Sequence, residues 1–129
     1  MKQAIAAVAL VVPDYDPAIA FYVGVLGFEL LEDTPLGPDK RWVRVAPPGA
    51  TETALLLAKA ATPAQAAAIG AQAGGRVFLF LRTDDFDRDH ARMLAAGVAF
   101  LEAPRREAYG KVAVFRDPFG NRWDLIEPA

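Results

Sequence analysis

The sequence predicts an α+β fold in which two tandem βαβββ modules form a cup-shaped mixed sheet. Short apolar strand patterns alternate with two helical patterns that have an apolar face. The plan of the first half also starts again after residue 75, which indicates an internal repeat. With 129 residues, the chain is long enough to bury roughly two-thirds of its unfolded surface as a single domain.

The first module is predicted to cover residues 1–60. A buried strand over 5–12 leads into a helix that Asp16 caps and Gly27 ends, because Asp favours N-caps and Gly accepts the conformation after a helix. Three more strands follow, separated by turns rich in proline and glycine at 35–39 and 47–49. They cover 28–31, 41–46 and 53–58.

A connector helix is predicted over 61–74, and the second module over 75–129. The connector begins with a capping-box pattern, Thr62 followed by Gln65. In the second module a strand precedes a helix that Asp84 or Asp85 caps and Gly97 ends. The predicted strands of this module cover 76–82, 98–101, 111–116 and 122–127.

The segment 117–127 is the most informative part of the second module. Asp117, Pro118, Gly120 and Asn121 are typical of a tight turn. The strand after this turn contains Asp124, although strand interiors disfavour aspartate. A carboxylate at this position therefore needs water or a binding site to hold it.

Composition excludes several classes of function. The formal net charge is −2 and the basic residues are scattered, so a nucleic-acid partner is not expected. The absence of cysteine excludes disulfides and thiolate ligands, and it fits a cytoplasmic protein. No apolar run is long enough to span a bilayer, so no membrane partner is expected.

Several motifs together resemble the vicinal oxygen chelate superfamily, which includes glyoxalase I, bleomycin-resistance proteins and extradiol dioxygenases. The segments that carry the resemblance are 11–16, 20–22, 26–28, 96–98, 109–110 and 117–121. The resemblance implies paired βαβββ modules, a cup-shaped sheet and a homodimer. Because a shared fold does not determine a reaction, it leaves open whether the protein is an enzyme.

Metal-dependent members of this superfamily hold one divalent ion with side chains from four strands. The four positions correspond here to Ala7, Leu56, Phe78 and Asp124, and only the last has a donor atom. No metal or other cofactor is therefore expected. A zinc, nickel, iron or manganese site would need a non-standard set, with Asp124 joined by Gln3, Glu102 or Glu127.

Strand alternation predicts which side chains line the cup. The candidate ligand-binding residues are Trp42, Arg44, Phe78, Phe80, Arg82, Tyr109 and Asp124. Aromatic rings, guanidinium groups and a carboxylate suit a small molecule that is anionic or aromatic. Alternatively, Arg44 or Arg82 pairs with Asp124 or reaches solvent. The only histidine, His90, is predicted to be structural because it lies near the apolar side of its helix.

The expected function is the binding of a small organic molecule without the usual metal. Two alternatives stay open at this point. One is a metal-dependent lyase or dioxygenase of the glyoxalase type with a non-standard ligand set. The other is a structural dimer whose cup is filled by its own side chains.

Overall fold

The computed structural model describes all residues from Met1 to Ala129. The chain forms two compact units, unit 1 (Met1–Ile69) and unit 2 (Gly70–Ala129), and each contains one mixed sheet. The predicted α+β class with two βαβββ modules is confirmed. The boundary between the units lies inside the segment 61–74. None of the helices has the length and apolar composition that crossing a membrane requires.

Unit 1 contains a four-stranded sheet in the order β1-β4-β3-β2. β1 and β4 are parallel, and the other neighbours are antiparallel. The strands are β1 (Ala7–Val12), β2 (Glu29–Gly37), β3 (Lys40–Ala46) and β4 (Ala54–Lys59). A short helix, α2 (Pro63–Ala68), follows β4, and the Thr62 side chain caps it by accepting a hydrogen bond from the backbone N–H of Gln65.

Unit 2 contains a five-stranded sheet in the order β5-β9-β8-β6, with β7 also paired to β8. The strands are β5 (Leu79–Arg82), β6 (Ala99–Phe100), β7 (Arg105–Glu107), β8 (Gly110–Arg116) and β9 (Arg122–Pro128). The prediction of one strand over 98–101 was too simple. β6 and β7 share β8 as partner, so together they take the place that β2 has in unit 1.

The main helical segments of the two units differ in length by one residue. In unit 1, α1 (Tyr15–Ile19) continues as a π-helix (Ala20–Val25), whereas unit 2 has α3 (Phe86–Ala95) alone. The N-caps Asp14 and Asp85 are 71 positions apart, but the glycines that end the helices, at 27 and 97, are 70 apart. The π-helix accommodates the extra residue because its hydrogen bonds span five residues instead of four.

The prediction that Asp16 caps the first helix was wrong, because Asp14 does so. Asp14 has an extended backbone (φ −159°, ψ 161°), and its side chain accepts a hydrogen bond from the N–H of Tyr15 at 2.7 Å. An N-cap residue lies outside the helix, whereas Asp16 is already in the first helical turn. Asp16 instead pairs with Arg41 at 2.8 Å.

Each sheet has one face covered by its main helix, α1 or α3, and the opposite face is here called the open face. In unit 1, the salt bridge between Arg41 and Asp16 places α1 on the face of β3 that Val43 shares. In unit 2, Glu127 Oε1 accepts a hydrogen bond from the N–H of Phe86 at 2.7 Å, which places α3 on the face of β9 to which Glu127 points. Alternation then assigns the remaining side chains to the open faces.

The predicted turn at 35–39 is shorter than expected, because β2 continues to Gly37. Only Pro38 and Asp39 lie between the paired residues Gly37 and Lys40. Pro35 is accommodated inside β2 since this strand is at the edge of the sheet, where a missing N–H breaks no ladder.

The turn between β8 and β9 is built around the carboxylate of Asp117, which is 1% exposed. Asp117 Oδ1 accepts hydrogen bonds from the N–H groups of Phe119 and Asn121, and Oδ2 accepts one from Asn121 Nδ2 at 2.7 Å. Asn121 Oδ1 in turn accepts a hydrogen bond from Gln72 Nε2 at 3.1 Å. The start of unit 2 is thereby attached to this turn.

Gly70 makes the closest approach to the same turn. Its φ is +73°, and a Cβ there would collide with the backbone carbonyl oxygen of Phe119. Gly74 has a similar φ of +65°, but a Cβ there would meet nothing within 4 Å. Substitutions at the two glycines therefore separate the effect of the left-handed backbone conformation from the effect of a clash between a Cβ atom and Phe119.

We expect Gly74→Ala to lower the free energy of unfolding by about 1 kcal/mol, the usual cost of a left-handed conformation for a residue with a Cβ. Gly70→Ala is expected to lower it by a further 1–3 kcal/mol, roughly the range in which overpacking falls. Urea unfolding of both variants measures the difference. Equal losses would show that the approach of Gly70 to Phe119 is unimportant for stability.

Candidate functional site

The carboxyl group of Asp124 lies at the centre of the open face of unit 2. Asp124 in β9 is directly opposite Phe80 in β5 on one side and Val114 in β8 on the other. Asp124 is only 7% exposed, and no group donates a hydrogen bond to its buried Oδ1 atom. Phe80 is 66% exposed although it is a large apolar side chain. A buried polar atom without a partner thus lies beside an aromatic ring that faces solvent.

The surroundings raise the pKa of Asp124. Burial is the largest cause, because it disfavours the charged form. The positive charge of Arg105 lowers the pKa, and the negative charge of Glu102 raises it again. The net effect is a carboxylate that is less stable in the folded protein than in water.

Arg105 and Glu102 form a charged network beside this position. Arg105 Nε donates to Glu102 Oε1 at 3.1 Å, and Arg105 Nη1 donates to Glu107 at 2.8 Å and to the hydroxyl oxygen of Tyr109 at 3.2 Å. Glu102 Oε1 also accepts a hydrogen bond from the N–H of Val114 at 3.0 Å, in the gap between β6 and β7. The Nε and Nη1 atoms of Arg105 therefore bind partners other than Asp124, and Arg105 forms its salt bridges with Glu102 and Glu107.

The sequence prediction did not include Arg105. Arg105 is the first residue of β7, and no strand was predicted there. Glu102 was considered only as a metal ligand, whereas the structure uses it to complete the edge of β8. The charge pattern from Glu102 to Glu107 was the one available signal for this network.

The other candidate residues of unit 2 lie as follows. Arg82 shares the open face with Phe80, is exposed and makes no salt bridge. Phe78 precedes β5 and continues its pairing, because its N–H donates to the carbonyl oxygen of Arg122 at 2.8 Å. Tyr109 is exposed at the end of the β7–β8 hairpin, where its hydroxyl oxygen accepts a hydrogen bond from Arg105.

In unit 1, Trp42 and Arg44 both lie on the open face of β3. Arg44 Nε donates to Glu32 Oε1 at 3.0 Å, so its charge is paired within its own sheet. The predicted alternatives for Arg44 did not include this partner. An irregularity between Leu30 and Glu32 in β2 brings Glu32 directly opposite Arg44. Trp42 is 38% exposed.

Trp42 also lines a groove of about 840 Å³ in unit 1. The side chains of Leu56 and Ala58 from β4 form an apolar wall, and the β2–β3 turn closes one end. Charged residues of both signs, Asp39, Lys40 and Lys59, also line the groove, and Lys59 pairs with Asp14 at 3.9 Å. The volume is within the range of about 300–1,000 Å³ that is usual for ligand pockets.

Comparison with known proteins identifies the family. The model of the glyoxalase/bleomycin resistance protein/dioxygenase superfamily matches residues 4–125. The chain belongs to this superfamily. A protein of Shewanella frigidimarina (strain NCIMB 400) is 57% identical over 128 residues, which are 98% of this chain and 95% of that protein.

Solved structures of the superfamily are also similar. TnmS3, an antibiotic binding protein from Streptomyces sp. CB03234, is 37% identical with a TM-score of 0.80, and the match covers 99% of this chain and 98% of that chain. A superfamily member from Sphaerobacter thermophilus DSM 20745 is 29% identical with a TM-score of 0.75, and 98% of each chain is covered. The predicted homodimer stays a prediction.

The metal-binding positions of the superfamily do not fit a divalent ion in this chain. Ala7, Leu56 and Phe78 have no donor atoms, and no group of three or more His, Cys, Asp or Glu side chains is arranged to hold a metal. Of the three suggested substitutes, Glu127 accepts a hydrogen bond from the N–H of Phe86 and Glu102 binds Arg105, whereas Gln3 is exposed before β1. We therefore derive no step that uses a metal.

His90 packs among aromatic rings on the helix side of unit 2. Its ring is stacked on Phe86 at 5.3 Å between centroids and meets the edge of Phe100 at 4.5 Å. These contacts agree with the structural role predicted for it.

The raised pKa of Asp124 leads to a test by unfolding. A carboxyl group whose pKa is higher in the folded state destabilises the protein above that pKa, and the penalty disappears as the pH falls below the ordinary value near 3.8. Asp124→Asn is therefore expected to raise the free energy of unfolding at pH 7 by roughly 1 kcal/mol, and the gain should shrink at acid pH.

Asp33→Asn is the matched control for this prediction. A hydrogen bond from Arg41 lowers the pKa of Asp33, so its stabilisation is present at neutral pH and lost as the pH falls through the folded value. The two variants should thus shift stability in opposite directions when denaturant unfolding is measured at pH 7. A loss of stability in Asp124→Asn would mean that an unrecognised partner satisfies this carboxylate.

Proposed function

We propose that this protein binds a small organic molecule with an aromatic surface on the open faces of its sheets and holds it without chemical conversion. The observation that carries the proposal is the groove of unit 1 with Trp42 exposed inside it. The similarity to TnmS3, which is an antibiotic binding protein, supports the same class of function. An antibiotic or a molecule of similar size is the ligand that we propose.

Trp42 supports binding because its ring is a large apolar surface that solvent reaches. Burial of such a ring under a planar ligand removes apolar area from water and adds the preferred geometry of aromatic pairs. Arg44 contributes less than predicted since Glu32 neutralises it. Lys59 is likewise paired, with Asp14 at 3.9 Å, and the negative charge of Asp39 lies next to Lys40 in the groove lining, so the aromatic contact with Trp42 is the main attraction.

The two tryptophans provide a direct measurement of binding. Trp123 is buried in the core at 3% exposure, whereas Trp42 lines the groove. The anionic aromatic dye 8-anilinonaphthalene-1-sulfonate is therefore expected to quench the fluorescence of Trp42 selectively and to saturate. Trp42→Leu should weaken the binding of the dye roughly tenfold, since the loss of a stacked ring costs about 1 kcal/mol or more.

Leu94→Ala is the control, because Leu94 is an exposed apolar residue of α3 outside the groove. It should leave the affinity for the dye unchanged. Equal weakening in both variants, or binding that never saturates, would contradict a specific site. Mass spectrometry of antibiotics that bind in a subsequent screen should recover them unchanged after long incubation with the protein.

Divalent ions are expected to leave this function and the stability unaffected. An ion at about a hundred times its dissociation constant would add roughly 2.7 kcal/mol to the free energy of unfolding. For a chain of this size, that would raise the unfolding midpoint by several degrees. Thermal unfolding of chelator-treated protein with zinc, nickel, iron or manganese should show no such shift, and a shift with one ion would favour the metal-dependent alternative.

A further inference from the structure

We propose that the Asp124 carboxyl group and the Phe80 ring form a recognition element for an aromatic ring that carries a hydrogen-bond donor. The ligand ring lies against Phe80, and its hydroxyl or N–H group donates to Asp124. This inference rests on the proposed binding function and specifies the ligand chemistry that the open face of unit 2 accepts.

The buried Oδ1 atom of Asp124 has no partner within the protein. Leaving a buried acceptor unsatisfied is costly, particularly when it is charged. Asp117 shows that the same unit satisfies another buried carboxylate with three donated hydrogen bonds. The carboxyl group of Asp124 can therefore accept a hydrogen bond from a donor group on a bound molecule.

Arg105, the nearest cation, does not satisfy Asp124. It is close enough to influence Asp124 electrostatically, but its Nε and Nη1 atoms bind Glu102, Glu107 and Tyr109. Arg105 forms salt bridges with Glu102 and Glu107 and none with Asp124. The buried Oδ1 atom therefore remains available to a donor on a ligand.

Phe80 provides the surface for the aromatic part of the ligand. Phe80 pairs directly with Asp124 across neighbouring strands, which lie about 4.8 Å apart. A single ring substituent can therefore reach the carboxyl group while the ring itself covers Phe80. Val114, on the other side of Asp124, extends the apolar surface around the carboxyl group.

The charges also determine which ring substituents are rejected. Asp124 is negative when ionised, and the positive charge of Arg105 nearby is offset by the carboxylates of Glu102 and Glu107 that bind it. A carboxylate or sulfonate in place of the donor would be repelled by the carboxylate of Asp124. The open face of unit 2 thus favours neutral or cationic donors.

Two neutral probes of nearly equal shape test the proposal. 2-Naphthol has a hydroxyl donor, and 2-methoxynaphthalene has none. Wild-type protein should bind 2-naphthol roughly tenfold or more tightly, which is the usual effect of a hydrogen bond to a charged group. The fluorescence anisotropy of each probe measures its affinity.

Three variants localise the effect. Asp124→Asn, which should fold at least as well as the wild type, is expected to reduce the preference for 2-naphthol to a few-fold. Phe80→Leu should weaken both probes alike, because it removes the ring but leaves the carboxyl group. Leu94→Ala, on the exposed side of α3, should leave both affinities unchanged.

The outcomes separate this inference from the function on which it rests. If both probes bind wild-type protein equally, or if Asp124→Asn keeps the full preference, the inference is wrong while binding of aromatic molecules stands. If neither the naphthalene probes nor the anionic dye binds, the proposed function itself fails, and the inference fails with it.

Discussion

The hydrogen bonds to the carboxylate of Asp117 are the interaction on which the open face of unit 2 depends. They hold the turn so that the N–H of Asp117 donates to the carbonyl oxygen of Asn121 at 3.0 Å, and the pairing of β8 with β9 follows from there. A slip of one residue would turn every side chain of β9 to the other face. The position of Asp124 opposite Val114, on the open face, is therefore a consequence of the turn that begins seven residues earlier.

Two buried carboxylates in one short segment have opposite roles. Asp117 accepts three hydrogen bonds and stabilises the turn, whereas Asp124 has a buried oxygen without a partner. The first contributes to the stability of the fold, and the second reduces it. At Asp124, stability and ligand binding therefore make different demands on one residue. The unsatisfied carboxylate lowers the stability of the fold, but it is available to a ligand.

Much of this arrangement could be predicted from the sequence, because strand alternation has a period of two and the helix caps and turn residues are local signals. Alternation assigned Trp42, Arg44, Phe80 and Asp124 to the open faces. It could not find the pairing of Arg44 with Glu32, because that contact depends on an irregularity in β2. The network of Arg105 and Glu102 was equally inaccessible, since it fills a break between two short strands that has no periodic pattern.

The chemistry of the superfamily's metal positions explains why the single carboxylate is informative. Where metal-dependent members have several donors, this chain has Ala7, Leu56 and Phe78, and it keeps one acidic residue at Asp124. If the open face of unit 2 only supported the fold, an apolar residue at 124 would be more stable, because it would carry no desolvation penalty. A carboxylate without its companion ligands is a poor metal site, but it can still accept a hydrogen bond. The combination of an exposed ring and an unsatisfied acceptor therefore favours an organic ligand over both a metal ion and a purely structural face.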